Sequence, residues 1–103
     1  MPSPLTKSVT KILIVDDHAL VREGLRALIE RQDDMEICGE AETASDALRL
    51  LREVRPDVAV IDLSLREGIG MELISEMKSR NEYVWILVSS MFEEKLYAEL
   101  DLE

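Results

Sequence analysis

The sequence has few aromatic residues, a single cysteine and no long apolar run. Only 4% of its 103 residues are aromatic, so aliphatic side chains must fill the core. Because Cys38 is the only cysteine, no internal disulfide can form, which suits a reducing cytoplasm. No apolar run approaches the length of a membrane span, and the N-terminus lacks the apolar region of a signal peptide. We therefore expect a cytoplasmic domain without membrane contact.

Positive charge is also scarce. The chain has 12 lysines and arginines against 22 acidic residues, which gives a net charge of −10. A nucleic-acid backbone requires a basic face, so we expect no nucleic-acid contact by this segment. A cluster of acids would instead attract a cation. The apolar share of 47% is enough for one small domain with one core.

Apolar strands that alternate with amphipathic helices predict an α/β fold. Continuous apolar runs, typical of strands buried on both faces, lie at 11–15, 58–62 and 83–88, and an alternating strand lies at 35–40. Helical spacing follows each strand, and the last of the four β-α units is predicted to carry a helix over 92–100. Alternation of this kind implies a parallel sheet with helices on both faces. Residues 1–10 are interpreted as a flexible leader.

Three shorter predictions concern single side chains. Thr43 begins a sequence that resembles a capping box and is expected to start the second helix. Asp17 is expected to cap the first helix. Trp85, which lies between two apolar strand residues, is expected to pack against a helix rather than to stack on a ligand.

Aspartates and serines follow the buried strands where each of them ends. Asp16 and Asp17 follow the first strand, Asp62 ends the third, and Ser89 and Ser90 end the fourth. Because all strands of a parallel sheet end at the same edge, we expect these side chains to meet there. Asp62 alone would be equally consistent with a polar strand-exit residue, and the second strand that ends in aspartate favours a functional site.

Carboxylates that share one crevice repel each other. A like-charged pair ~4 Å apart at an effective dielectric near 20 costs about 4 kcal/mol, which a proton or a divalent cation relieves. A small number of hard oxygen ligands favours Mg²⁺ over Ca²⁺, which needs more ligands. Because His18 is the only histidine, the chain lacks the set of His and Cys ligands that zinc requires. A carboxylate beside a cation and a hydroxyl can accept a phosphoryl group. Asp62 on its central strand is the favoured nucleophile, and Asp16 and Asp17 are the favoured metal ligands.

Three motifs occur in a specific order along the chain: ILIVDDHALVREGL at 12–25, RPDVAVIDL at 55–63 and ILVSSM at 86–91. As a set, they resemble the receiver domain of bacterial two-component response regulators. The first motif most resembles the subfamily whose receivers precede a helix-turn-helix DNA-binding domain. The resemblance covers about residues 11–100 and implies a flavodoxin-like (CheY-like), doubly wound parallel sheet with strand order 2-1-3-4.

The resemblance also implies a role for each acid. Asp62 matches the phosphoacceptor and also a metal ligand. Asp17 matches the direct Mg²⁺ ligand, and Asp16 matches the acid that acts through bound water. Ser64 stands where a backbone carbonyl completes the metal shell.

Three positions near the expected phosphate are assigned in the same way. Ser90 matches the switch hydroxyl, with Ser89 as the runner-up. Phe92 stands where similar proteins often have histidine or a smaller residue, and it is interpreted as controlling the access of water to the phosphate. His18 is interpreted as a rim residue at the start of the first helix rather than as a ligand or relay.

The function implied by the resemblance is a phosphorylation switch. A sensor histidine kinase passes a phosphoryl group to Asp62 with Mg²⁺, and the switch alters an interface that controls transcription through a separate DNA-binding domain. We expect no turnover enzyme. Two alternatives stay open: a pseudo-receiver that serves only as an interaction module, and an aspartyl-nucleophile phosphatase, a class that usually has a second acid where Ser64 stands.

The sequence departs from the family pattern at its C-terminal end. Similar receivers continue with a fifth strand, a lysine at its end, an aromatic switch residue and a fifth helix, and Lys95 in the predicted fourth helix cannot substitute for that lysine. We therefore expect 11–103 to form an incomplete receiver domain. Its fourth strand would be an exposed apolar edge, and pairing of two copies through that edge is the expected route to a homodimer.

Overall fold

The computed structural model describes residues 9–62, 70–80, 83–90 and 95–98. The elements within these ranges are, in chain order, β1 (Thr10–Val15), α1 (Ala19–Glu30), β2 (Met35–Ala41), α2 (Ala44–Val54), β3 (Val58–Asp62), α3 (Gly70–Arg80), β4 (Trp85–Ser90) and β5 (Lys95–Ala98). The strands form one sheet in the order β2-β1-β3-β4-β5. The first four are parallel, which confirms the predicted order 2-1-3-4.

The two central strands, β1 and β3, carry continuous apolar runs at 12–15 and 58–61, and helices cover both of their faces. Successive strand residues point to opposite faces. On one face Leu13 and Ile61, both with 0% exposure, pack with residues of α2 and α3. On the other face Ile14 and Val60 pack with Leu25 of α1. Continuous apolar runs therefore identified the buried strands correctly.

The two helix layers are unequal. α1 has no buried residue, whereas the buried residues of α2 and α3 are Ala44, Ala47, Leu51, Gly70, Leu73, Ile74 and Met77. Because Val84, Ile86 and Val88 face α2 and α3, Trp85 projects to the other face, where it is 69% exposed. The prediction that Trp85 packs against a helix is therefore wrong.

The helix predicted over 92–100 is also wrong, because Lys95–Ala98 forms β5. β5 pairs antiparallel with β4, from Leu87 opposite Ala98 to Ser90 opposite Lys95. An apolar edge strand leaves a row of backbone N–H and C=O groups without partners, and a returning segment can satisfy them. A short helix with two apolar positions has less to gain. The prediction that β4 forms an exposed edge is therefore wrong, and so is the predicted pairing of two copies through that edge.

The predicted helix starts have different outcomes. Thr43 is the N-cap of α2, and its side chain accepts a hydrogen bond from the N–H of Asp46 at 3.1 Å, as predicted. The N-cap of α1 is His18, whose side chain makes no capping hydrogen bond, so the prediction that Asp17 caps this helix is wrong.

β1 begins at Thr10, the last residue of the predicted leader, and residues 1–8 lie outside the described ranges. No described helix combines the length and hydropathy that a membrane crossing requires.

Candidate functional site

The parallel strands bring the predicted acids to one edge of the sheet. Asp16 and Asp17 directly follow β1, and Asp62 ends β3, which pairs with β1 through Val15 opposite Ile61. One carboxylate oxygen of each of these three aspartates and a ring nitrogen of His18 all lie within 4.8 Å of one another. A single small ion can therefore contact all three carboxylates.

The acids are buried as well as clustered. Asp16 and Asp62 are each 1% exposed, and they are the only buried polar or charged residues in the part of the chain with assigned burial. The side chain of Asp17 is 7% exposed. Buried carboxylates are costly unless they are paired or bind a cation, so this edge of the sheet carries an electrostatic cost that the fold alone does not require.

Burial raises the pKa of Asp16 above the ordinary aspartate value. Two hydrogen bonds from His18 oppose the rise in pKa, and the charge of Asp62 adds to it. One of these bonds joins the backbone N–H of His18 to Oδ1 of Asp16 at 2.8 Å. The other oxygen of Asp16, Oδ2, is buried and has no hydrogen-bond partner in the structure. Asp16 thus has an oxygen available for a ligand.

His18 lies directly over the acids. Its Nδ1 is 3.0 Å from Oδ1 of Asp16, 2.9 Å from Oδ1 of Asp17 and 3.7 Å from Oδ2 of Asp62. The hydrogen bond with Asp16, together with the surrounding carboxylate charges, raises the pKa of the imidazole. Sequence reasoning placed His18 at the rim and missed its contact with all three acids, although its position next to Asp17 was the available signal.

The donor set fits a Mg²⁺ ion. Mg²⁺ prefers hard oxygen ligands at 2.0–2.1 Å in an octahedral shell, which places those ligands roughly 3–4.2 Å apart. The candidate ligand atoms already lie within 4.8 Å of one another, so small side-chain rotations suffice. The buried Oδ2 of Asp16 supplies the kind of unpartnered oxygen that such an ion would bind.

Arg22 holds the segment that carries the acids. Its guanidinium donates to the backbone carbonyl of Asp16 at 2.8 Å and also pairs with Glu40 and Glu42 at 3.2 and 3.1 Å. The N–H of Asp16 bonds to the carbonyl of Ala41 at 2.9 Å. Helical spacing assigns Arg22 only to the polar side of α1, so sequence reasoning missed its role in positioning Asp16.

The remaining predicted positions are placed in part. Ser89 lies opposite Asp62 in the register of β4 against β3, and its side chain is half-buried. Ser90 is the last residue of β4. Ser64 and Phe92 lie outside the described residues.

Comparison with known proteins gives a consistent set of relatives. Residues 12–102 match the response regulator receiver domain family. The chain is 42% identical to the transcriptional regulatory protein YdfI of Bacillus subtilis over 91 residues, which is 88% of this chain and 43% of the relative. The chain spans less than half the length of the curated relatives such as YdfI and LiaR.

Two solved structures have the same fold as this chain. A LuxR-family two-component response regulator from Aurantimonas superposes with a TM-score of 0.76 and 40% identity, over 82% of this chain and 60% of that chain. RcsB of Salmonella enterica serovar Typhimurium, bound to a promoter in the presence of the phosphomimetic BeF3⁻, superposes with a TM-score of 0.73 and 28% identity, over 80% of this chain and 42% of that chain.

Proposed function

Because this chain belongs to the response regulator receiver domain family, we propose that it accepts a phosphoryl group on Asp62 from a sensor histidine kinase. The observation that carries the proposal is the convergence of Asp16, Asp17 and Asp62, whose candidate ligand atoms lie within 4.8 Å of one another. Asp62 is the nucleophile because it ends the central strand β3, opposite a serine of β4.

Three of the metal ligands follow from the same geometry. Asp16, Asp17 and Asp62 would hold Mg²⁺. The family resemblance, rather than the geometry, adds the backbone carbonyl of Ser64 as a fourth protein ligand. A bound Mg²⁺ supplies charge neutralisation at the oxygens of the phosphoryl group during transfer. The role of Arg22, through its bond to the carbonyl of Asp16, is to keep this segment in position.

The transfer itself needs few groups. A carboxylate oxygen of Asp62 attacks the phosphorus atom of a phosphohistidine, a P–O bond forms, and the P–N bond breaks. The departing imidazole of the kinase takes up a proton from water. Ser90, or Ser89 as the runner-up, then donates a hydrogen bond to the new phosphate, while Phe92 limits the approach of water to it.

The output is a change of interface. The chain's relatives are transcriptional regulators of about twice its length, so we assign DNA contact to a further domain outside this segment, whose net charge of −10 disfavours DNA. Phosphorylation changes the position of the segment that follows Ser90, and thereby the surface offered to that domain or to a second copy. This cytoplasmic switch is modified once per signal and does not turn over a substrate.

Intact-mass spectrometry after incubation with Mg²⁺ and acetyl phosphate tests the proposal. We expect one phosphoryl adduct, which Asp62→Asn abolishes. Asp57→Asn is the matched control, because Asp57 precedes the same strand at its other end and is exposed. Absence of an adduct on a full-length version would identify a pseudo-receiver, and steady release of inorganic phosphate in excess of protein would identify a phosphatase.

A further inference from the structure

A second concave site lies between α2 and α3. The cavity has a volume of about 380 Å³, with Leu48 and Leu51 as its apolar lining and Arg52, Arg55 and Arg80 as its charged lining. Leu51 is 4% exposed and belongs to the main core, so the cavity reaches the core. Its volume falls within the range of pockets that hold small molecules.

Two of the three arginines that line this cavity, Arg52 and Arg55, differ from the arginines within α1 and from Arg49 of α2. Arg22, Arg26 and Arg49 each pair with two carboxylates. Arg52 and Arg55 have no side-chain hydrogen bond or ion pair with any other described residue. Arg31, the C-cap of α1, also has no such partner among the described residues, but Arg52 and Arg55 lie together on one cavity wall.

Helix ends account for only part of this positive charge. Arg52 and Arg80 lie in the last turns of α2 and α3, where cations interact favourably with the helix dipole. Each helix end carries roughly half a negative charge, so two ends offset about one of the three positive charges. Glu76, which pairs with Arg80 at 2.9 Å, offsets another. Among the described residues, the guanidinium groups of Arg52 and Arg55 therefore lack a carboxylate that would offset them fully.

Arg55 also occupies a position that its side chain does not favour. It is the C-cap of α2 in the left-handed region, with φ 49° and ψ 66°, and it is the only non-glycine residue with positive φ among the described residues. Glycine or asparagine is the usual residue at such helix ends. An arginine there retains a guanidinium beside Leu51 at the expense of local backbone preference.

We propose that this cavity binds a small monocarboxylate with an apolar body. The carboxylate accepts hydrogen bonds from Arg52 and Arg55, and the apolar body covers Leu48 and Leu51. α2 and α3 run antiparallel to the strands, so their C-terminal ends lie at the sheet edge opposite Asp62. The ligand would therefore bind without competing for the acidic site, and the proposal is independent of the proposed function.

A titration with octanoate, followed by amide NMR shifts of the 103-residue chain, tests this site. We expect saturable shifts at residues 48–55 and around Arg80, with a dissociation constant of about 1 mM or tighter. Acetate, which lacks the apolar body, and 1-octanol, which lacks the charge, should each bind at least about tenfold more weakly. Equal binding of either probe, or no saturation with octanoate, would overturn the proposal.

Two arginine variants separate the site from general charge. Arg55→Asn, which tolerates the left-handed backbone, should weaken octanoate binding about tenfold while the melting temperature stays the same or rises. Arg31→Asn is the matched control, because Arg31 is the C-cap of α1 and lies outside the cavity, and it should leave the affinity unchanged. Equal weakening by both variants would contradict a specific site, as would unchanged affinity in Arg55→Asn.

Discussion

The two ends of β3 present the same residue type in opposite environments. Asp57, just before the strand, is exposed, and its carboxylate accepts a hydrogen bond from the backbone N–H of Lys11 at 2.8 Å. Asp62, at the other end, is 1% exposed and lies among two further aspartates and His18. Asp57 contributes to folding by joining β3 to β1. Asp62 lies where like charges repel, which is the arrangement expected of a site that binds a cation.

Removal of a metal ligand should produce the largest difference between the two ends. We expect Mg²⁺ at ten times its dissociation constant to stabilise the parent chain by about 1.4 kcal/mol, which raises the melting temperature by roughly 5–10 °C for a domain of this size. Asp17→Asn should abolish this gain, and Asp57→Asn should retain it. Thermal unfolding with and without Mg²⁺ measures both, and an equal gain in all three proteins would refute the site.

Neutralisation of a single charge should change stability with opposite signs at the two ends. In Mg²⁺-free buffer, Asp16→Asn should raise the free energy of unfolding by about 1 kcal/mol, because it removes a buried charge that lies beside Asp62. Asp57→Asn should lower it by up to about 0.5 kcal/mol, because a neutral acceptor binds the N–H of Lys11 less strongly. Urea denaturation gives both values. Loss of stability in Asp16→Asn would show that repulsion is not the dominant effect there.

The raised pKa of Asp16 should also make the stability of the parent chain depend on pH. Since the folded pKa of Asp16 is raised above 3.8, the folded state holds the proton to higher pH than the unfolded state does. The Asp16 contribution to the free energy of unfolding therefore falls as pH rises from about 3.8 through the folded pKa, with a maximal slope of about 1.4 kcal/mol per pH unit. Denaturation across this range in Asp16→Asn should show a shallower fall than in the parent chain. Parallel curves would exclude this titration.

His18 should produce the smallest effect. Its imidazole, whose pKa is raised chiefly by the hydrogen bond with Asp16, places positive charge where Mg²⁺ would bind. Its stabilising contribution is complete below the ordinary histidine pKa and is lost as pH rises through the folded pKa. His18→Gln should therefore tighten Mg²⁺ binding a few-fold near pH 6 and less at pH 8, as measured by calorimetry. Weaker Mg²⁺ binding in this variant would identify His18 as a ligand instead.

Sequence reasoning succeeded where one physical effect dominates. β1 and β3 were predictable because strands covered on both faces must be apolar throughout. The meeting of Asp16 and Asp62 followed from that, since parallel strands end at one edge. The fold class alone was therefore enough to predict that the aspartates meet, without knowledge of their side-chain geometry.

The failures have a different cause, because they depend on long-range contacts. β5 was predicted as a helix, since its pairing with β4 is visible only once the edge of the sheet is known. Trp85 was predicted to contact a helix because the sequence does not specify that α1 covers only part of its side of the sheet. The bond from Arg22 to the carbonyl of Asp16 depends on how α1 packs against β1, which no local pattern encodes.

A crystal structure with Mn²⁺ in place of Mg²⁺ and with beryllofluoride would test the central claim most directly. We predict an anomalous peak for Mn²⁺ in contact with Asp17 and Asp62, and beryllium bonded to an oxygen of Asp62. Beryllofluoride on another aspartate, or Mn²⁺ bound away from the three acids, would contradict it.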